Sequence, residues 1–499
     1  SLDSAGESGL WWWSYDDVCM APIMEMKEDG SWDYILAESV DVNEDMTQYT
    51  VHLRSDAKWS NGDDVTSADF KNTIVRALDP NCKSGYSSML YPIAGAEEMY
   101  NGTGDESGLG VDTSDDKTIV FNLKEPYAYF EQLFVLPVYM PTHRELQTET
   151  NGDWAMGNDM DALVSCGPYY LAEYVPNQYS VYKKNENYVQ ADRIKTDTIK
   201  KMVMDDTQSI INAYKSGELN FISADYTVMD EYKDSDELIT SPSQTSYYVL
   251  FNENEAPFDD VRVRQAFSMA VNRDEVASAC GSSYEASDFF VAKHLKSSAS
   301  GKDWAEEVEE DPIGFDPDKA KELLAEAGYP DGEGFPAITY KYPSLQLDSD
   351  MAQALQAQWK TNLGIEVELQ AEEQQVQVAE RRSGDFQLAR MRWTADFTDP
   401  FTFLSMYRSN DSYNDNKTNC PEYDELMAQS NEESDPTARF ELLHQAESVL
   451  VNDYCFGVPV LNSSNIYLVS TDITNFEIDP SRNMIRTKYL VLGDSSSES

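Results

Sequence analysis

The chain has 499 residues, with 37 Lys and Arg against 90 Asp and Glu, and a formal net charge of −53. A polyanion of this size repels phosphate backbones and acidic lipid, which excludes nucleic-acid binding as its main task and disfavours anionic membrane surfaces. Its 41% apolar and 12% aromatic content is too rich for a disordered acidic polymer, and the length predicts about two to four domains.

In chain order, Tyr49-Thr-Val-His-Leu-Arg54 alternates apolar and polar residues, the pattern of a half-buried strand. Lys58-Trp-Ser-Asn-Gly-Asp63 carries an Asn-Gly turn. Thr66 precedes Asp69 at the spacing of a variant capping box, so a helix is predicted there, with Phe70, Ile74, Ala77 and Leu78 on its apolar face and Asp79-Pro80 at its end. A second strand is predicted at Thr118–Leu123, and a strand pair at Tyr169–Tyr174 and Tyr179–Lys183. Gln208–Ser216 reads as a short helix closed by Gly217. Val261–Cys280 is predicted as one helix, because Val263, Ala266, Phe267, Ala270 and Val271 form a single stripe.

Asp316-Pro317 opens a further helix that buries Ala320, Leu323, Leu324 and Ala327 and closes at Gly328. A strand at Ala337–Tyr342, a helix near Met351–Leu363 and a strand at Ile365–Leu369 follow, and this βαβ rhythm implies an open sheet covered by helices. A last helix is predicted over about Thr437 to Val451. No apolar run approaches the roughly 18 residues of a membrane span. No basic segment leads into an apolar one near Ser1, so no signal peptide is read.

Catalytic signatures are lacking. There is no GxSxG elbow, no GxxxxGK[ST] loop, no HExxH and no GxGxxG after a strand. His52, His143, His294 and His444 are isolated, and Cys19, Cys82, Cys166, Cys280, Cys420 and Cys455 have neither CxxC nor zinc-ligand spacing. The expectation is no enzyme, no metal and no cofactor. The cysteines leave zero to three disulfides open, with buried small apolar residues as the plainer reading.

Longer strings carry more. The stretch from Tyr49 to Phe70 resembles the signature region of the peptide-binding components of ABC importers, the solute-binding family that includes oligopeptide-, dipeptide- and nickel-binding proteins. Arg76-Ala-Leu-Asp-Pro80, Cys166-Gly-Pro-Tyr-Tyr-Leu171, Pro257–Phe267, Ala270-Val-Asn-Arg-Asp274 and Trp393-Thr-Ala-Asp-Phe-Thr-Asp-Pro-Phe-Thr-Phe-Leu404 continue the resemblance in order. Each string has a local explanation as strand, turn, cap or helix; the ordered set does not.

The resemblance implies an α/β, two-lobed periplasmic-binding-protein-like fold of type II, in the large peptide-binding subclass, with an extra domain on the first lobe. By analogy the first lobe takes 1–21, 146–248 and 465–499, the extra domain 22–145 and the second lobe 249–464. The implied function is an extracytoplasmic solute-binding protein that captures short oligopeptides in the cleft between its lobes and delivers them to an ABC importer. The same fold binding a dipeptide, nickel complex, haem, opine or oligosaccharide, or acting as a peptide-signal sensor, is the alternative. The implied partners are short peptides and the transmembrane subunits of an ABC permease. Nucleic acid is excluded, the chain is expected to be a monomer, and membrane contact comes only through a lipid anchor outside this sequence. Localisation is expected to be periplasmic, or lipid-anchored at the outer face of the cell membrane. Relatives carry a further strand and a secretion signal before the point where Ser1 stands, so a trimmed or processed chain is expected.

Peptides of varied sequence must be held by what they share: an ammonium, backbone N–H and C=O groups, and a carboxylate. An ammonium in a closed site needs a carboxylate partner, and the backbone suits added-strand pairing. Asp396, in a Trp-x-Ala-Asp string similar to that of oligopeptide binders, is the ammonium partner the resemblance implies, against the plain alternative of a surface aspartate ahead of Asp399-Pro400. Trp393, Thr394 and Ala395 would run beside the peptide. Arg390 and Arg381 stand where relatives face the peptide's carboxyl end; surface pairing with Glu372, Glu373 or Glu380 is the alternative. Tyr86, Tyr247 and Tyr248 are pocket candidates that compete with a core role. Ser8 and Leu10 would give backbone contacts, and one or more of Trp11, Trp12 and Trp13 would line a subsite or pack between domains. Gln374 replaces a frequent aromatic, and Thr245 and Thr394 stand where some relatives have a disulfide.

Overall fold

The computed structural model describes residues 18–27, 31–82, 84, 86–143, 163–204, 206–224, 228–308, 311–409, 411, 413–479 and 484–493. The chain folds as two compact units, Ser1–Ile222 with Val469–Ser499, and Ser223–Leu468. Each unit mixes strands and helices.

In the first unit, β1 (Ala37–Val42), β2 (Gln48–Leu53), β3 (Val111–Asp115) and β4 (Thr118–Asn122) form a four-stranded antiparallel sheet in the order β1-β2-β4-β3. β2 buries Tyr49, Val51 and Leu53 and turns the alternate residues outward, as its alternation predicts. Helix α1 (Ser67–Ala77) begins at the predicted cap. The Asp69 carboxylate accepts the Thr66 backbone N–H at 2.9 Å and its hydroxyl at 3.0 Å, and the Trp59 indole N–H at 3.4 Å. Gly62, at φ +97°, closes the preceding turn by donating its N–H to Trp59 O at 2.9 Å. The Lys58–Asp69 string is therefore a turn that folds a tryptophan under a helix start.

A second sheet pairs β5 (Tyr169–Val175), β6 (Tyr179–Lys184) and β7 (Thr198–Met202) in sequence order. Helix α2 (Thr207–Lys215) is capped by Asp206, whose carboxylate accepts the Ser209 N–H at 2.8 Å. The segment 484–493 belongs to this unit, tied in by a buried ion pair between Lys488 and Glu25.

In the second unit, β8 (Leu238–Phe251) is a long strand at the middle of the sheet. It pairs antiparallel with β11 (Leu388–Thr394) on one side and β12 (Gly457–Val469) on the other. β9 (Ile338–Pro343) runs parallel to both β10 (Val367–Glu372) and β11. The predicted βαβ unit is present as β9, α6 (Gln346–Leu363) and β10. These units are not the lobes and extra domain expected by analogy, which stay an expectation; residues 223–248 and 465–468, placed in the first lobe there, cluster with the second unit. The reason is physical, since β8 has neighbours of that unit on both sides.

The long predicted helix is broken into α3 (Val261–Met269) and α4 (Arg273–Cys280). Asn272 adopts an extended backbone, caps α4 by accepting the Glu275 N–H at 3.3 Å, and donates its own N–H to Gln358 at 2.6 Å. Side chains of α6 take the carbonyls left by the break: Trp359 Nε1 donates to Phe267 O at 3.0 Å and Asn362 Nδ2 to Ala270 O at 2.8 Å. The apolar stripe was read correctly; the polar groups that make a break affordable come from a distant helix.

Helix α5 (Pro317–Glu326) starts at Asp316, which accepts the Lys319 N–H at 2.9 Å. Helices α7 (Gln374–Ser383), α8 (Pro421–Glu432) and α9 (Pro436–Ser448) complete the unit, and α9 runs into a π-helical turn at Val449–Asp453.

Candidate ligand-binding site

β11 carries several of the candidate residues, among them Arg390, Trp393 and Thr394. It is buried from Leu388 to Met391, exposes Arg392 and Thr394, and leaves Trp393 half-buried. Its ladder with β8 runs through Ser246 opposite Trp393 and Thr245 opposite Thr394, and continues as the Ala395 N–H donates to Gln244 O at 2.9 Å. On the other side, the ladder with β9 covers only Leu388 and Ala389. Met391 to Thr394 thus has strand pairing on one side only among the described residues, which leaves an edge suited to an added strand.

The turn beyond β11 is fixed by buried polar contacts. The Asp399 carboxylate receives both Nη groups of Arg439, at 2.6 and 2.8 Å, and the Phe401 N–H at 2.9 Å. The Thr402 hydroxyl accepts the Trp393 indole N–H and the Asp396 backbone N–H, each at 3.3 Å. The two ends of the turn are thereby pinned, and Asp396 is held half-buried at the strand end. Trp393 meets Tyr413 edge-on at 5.3 Å, and the Arg382 guanidinium lies 5.5 Å from the Tyr413 ring centre. Burial raises the Tyr413 hydroxyl's pKa, with Arg382 opposing and Asp396 adding to the rise.

Both arginines named from the sequence are buried and paired inside the second unit. Arg390 Nη2 donates to Asp348 Oδ2 at 3.0 Å, and Arg390 Nε lies 2.7 Å from Oδ1 without hydrogen-bond geometry. Arg381 Nε lies 3.2 Å from Asp415. Burial raises the pKa of both aspartates and lowers that of Arg381, while each ion pair works against those shifts. The surface partners considered as alternatives, Glu372, Glu373 and Glu380, are not these; Glu380 instead pairs with Lys341 at 2.6 Å.

Tyr247 and Tyr248 point to opposite faces of β8, as strand geometry requires, and both are buried. Tyr247 packs edge-on against Tyr284 at 6.1 Å, and Tyr248 meets Phe290 at 4.9 Å and the Tyr407 hydroxyl at 2.5 Å. They are core residues of this unit. Tyr86, in the first unit, is half-buried ahead of a 3-10 turn at Ser87–Leu90. Ser8, Leu10 and Trp11 to Trp13 lie outside the described residues. Gln374 is exposed at the start of α7. The hydroxyls of Thr245 and Thr394 meet at 2.9 Å.

Sequence reading missed Asp348, Asp415, Thr402 and Arg439. Thr402 lay within the quoted string and could have been found as a second anchor. The other three come from α6, a loop and α9, and no local pattern marks them. Among the described residues, no group of three or more His, Cys, Asp or Glu could hold a metal ion, and no helix is long and apolar enough to cross a membrane.

The sequence pattern of the bacterial extracellular solute-binding proteins, family 5, matches residues 33–415. The chain is similar to the dipeptide-binding protein DppE of Bacillus subtilis (strain 168), 28% identical over 94% of this chain and 85% of that protein. It is similar to the periplasmic oligopeptide-binding protein OppA of Escherichia coli (strain K12), 31% identical over 87% of this chain and 80% of that protein. Among solved structures it resembles a periplasmic oligopeptide-binding protein from Borrelia burgdorferi, with a TM-score of 0.80, 27% identity, and coverage of 98% of this chain and 97% of the other.

Proposed function

Because the chain belongs to family 5 of the bacterial extracellular solute-binding proteins, we propose that it captures short oligopeptides and delivers them to an ABC importer. The observation that carries this reading is the one-sided strand Met391–Thr394, which ends two residues before Asp396. A peptide laid along that edge gains main-chain hydrogen bonds that do not depend on its sequence. Asp396 takes the α-ammonium at one end, and the half-buried Trp393 indole gives the peptide an apolar wall. Thr394 and Ala395 supply backbone groups, and Tyr86, Ser8 and Leu10 are further contacts by the family resemblance.

The B. subtilis relative's name gives dipeptides as a second reading. The partners proposed are permease transmembrane subunits, with the chain acting as a monomer without catalysis of its own, and with a lipid anchor or a periplasmic location. Titration calorimetry with mixed tri- to pentapeptides, on protein unfolded and refolded to strip carried-over ligand, tests the reading. Saturable binding is expected. Binding of dipeptides alone would select the second reading, and no binding of either would overturn both.

A further inference from the structure

A chain of three hydroxyls runs from the interior of the second unit to the one-sided strand. β8 bulges between Pro242 and Ser246 where it faces β12. The Asn462 side-chain amide ties the bulge down, donating to Thr245 O at 3.1 Å and to Ser246 Oγ at 2.8 Å. Within the bulge the Ser243 hydroxyl donates to Thr245 Oγ1 at 2.7 Å, and Thr245 Oγ1 lies 2.9 Å from Thr394 Oγ1. Ser243 and Thr245 are only 5% and 6% exposed, whereas Thr394 is exposed.

Either threonine could supply the proton between them, and burial decides which one does. A hydroxyl has a single proton to give. If Thr394 gave its own, the Thr245 proton would be left in the interior with no acceptor among the described residues. An unmet buried donor costs more than a hydrogen bond gains, while a donor at an exposed hydroxyl is met by water. Thr245 therefore donates, and the Thr394 O–H is left as an outward donor. The two threonines are direct partners in the β8–β11 ladder, so both hydroxyls stand on one face of the sheet. A strand added along the free side of β11 sets one side chain opposite Thr394 on that same face, with Cβ atoms roughly 4.5–5.5 Å apart. A hydroxyl or amide oxygen on that side chain is within reach of the Thr394 proton.

We propose that the Thr394 side chain is a specificity-determining donor, which selects a neutral side chain with an acceptor oxygen (Ser, Thr, Asn or Gln) at the peptide position opposite it. Asp396, two residues on, disfavours an anionic acceptor there by like-charge repulsion. Thr245 is a positioning residue that keeps the Thr394 proton turned outward. The inference rests on the peptide-capture reading above.

The test uses alanine tetrapeptides carrying Thr or Val at each position in turn, so that each pair differs by one hydroxyl, and reads affinity by calorimetry. At one position Thr is expected to bind about three- to tenfold more tightly than Val. In Thr394→Val that preference is expected to vanish. Thr245→Val should shrink it, and Thr245→Ser, which keeps the relay hydroxyl, should restore it; a purely structural role for Thr245 would weaken both peptides alike and leave their ratio unmoved. Peptides that bind the unaltered protein with no preference for Thr over Val at any position would overturn the inference and leave peptide capture intact. A preference that persists in folded Thr394→Val would overturn it as well. No binding of any of these peptides would overturn the capture reading, and the inference with it. Should Thr394→Val not fold, the ratio in the unaltered protein and in the two Thr245 variants decides the matter.

Discussion

Arg439 and Asp399 form a two-pronged buried ion pair, 2.6 and 2.8 Å between the guanidinium nitrogens and the carboxylate oxygens. The pair lies three residues beyond Asp396 and holds the turn whose Thr402 hydroxyl receives the Trp393 and Asp396 N–H groups. Removing one partner of such a pair leaves a buried charge without compensation, at a cost of about 3–5 kcal/mol. Arg439→Ala is therefore expected to lower the melting temperature clearly. Arg439→Ala with Asp399→Asn should recover part of the loss, because no uncompensated charge is then buried. Thermal unfolding of the two variants checks this, and equal melting of both would contradict it.

Asp396→Ala tests the site itself. Asp396 is half-buried at the strand end, and losing a carboxylate that meets a desolvated ammonium costs about 2–5 kcal/mol of binding. Free peptides should therefore bind far more weakly to the variant. N-acetylated peptides, which carry no ammonium, should bind the variant and the unaltered protein alike. Calorimetry with both peptide forms separates loss of the ammonium partner from general damage, since general damage would weaken both.

How much of this was legible in the sequence depends on how far apart the partners lie. The capping box of Thr66 and Asp69, the α5 cap at Asp316 and the alternation of β2 are local, and they were read correctly. The break between α3 and α4 was not, because Gln358, Trp359 and Asn362 stand on α6. The same holds at the site. Asp396 and Trp393 are marked by their string, but the character of Arg390 is decided by Asp348, 42 residues earlier. A sequence resemblance carries an arginine's position across a family. It does not carry what that arginine is paired with.

A buried cluster in the second unit makes stability depend on pH in two opposing ways. The Glu447 carboxylate accepts the Trp304 indole N–H at 2.5 Å and the Val291 N–H at 2.8 Å, and burial pushes its pKa up to about 7. His444 stacks on Trp304 with ring centres 3.6 Å apart, and burial lowers its pKa to about 4. Folded Glu447 keeps its proton longer than the unfolded chain does, so its contribution falls as pH rises from the ordinary 4.5 through about 7. For His444 the unfolded chain keeps the proton, so its contribution rises between about 4 and the ordinary 6.5. The two slopes oppose each other where the windows overlap. His444→Phe, which preserves the stacking, should lose stability relative to the unaltered protein as pH climbs through the His444 window. Glu447→Gln should gain relative stability as pH climbs through the Glu447 window. Difference melting curves across that range check both signs, and a variant parallel to the unaltered protein would remove its residue from the account.

The charge of −53 acts on capture through the long-range field rather than through any one contact. With 90 acidic residues against 37 basic ones, a cationic peptide is drawn toward the protein and an anionic one is held off. Fields of this kind change association rates by about 10- to 1,000-fold at low salt. The effect should collapse as the screening length drops to about 10 Å near 0.1 M salt. Lys-containing peptides are thus expected to associate faster than Glu-containing peptides of the same length in dilute buffer, and the gap should narrow as salt is added. Dissociation rates should change less, because the ammonium contact proposed at Asp396 and the strand pairing proposed at Met391–Thr394 are short-range and common to both peptides. Stopped-flow tryptophan fluorescence, in which Trp393 is the fluorophore proposed to lie beside the peptide, measures both rates. Equal association rates in dilute buffer would mean that the acidic shell is too evenly spread to steer the ligand.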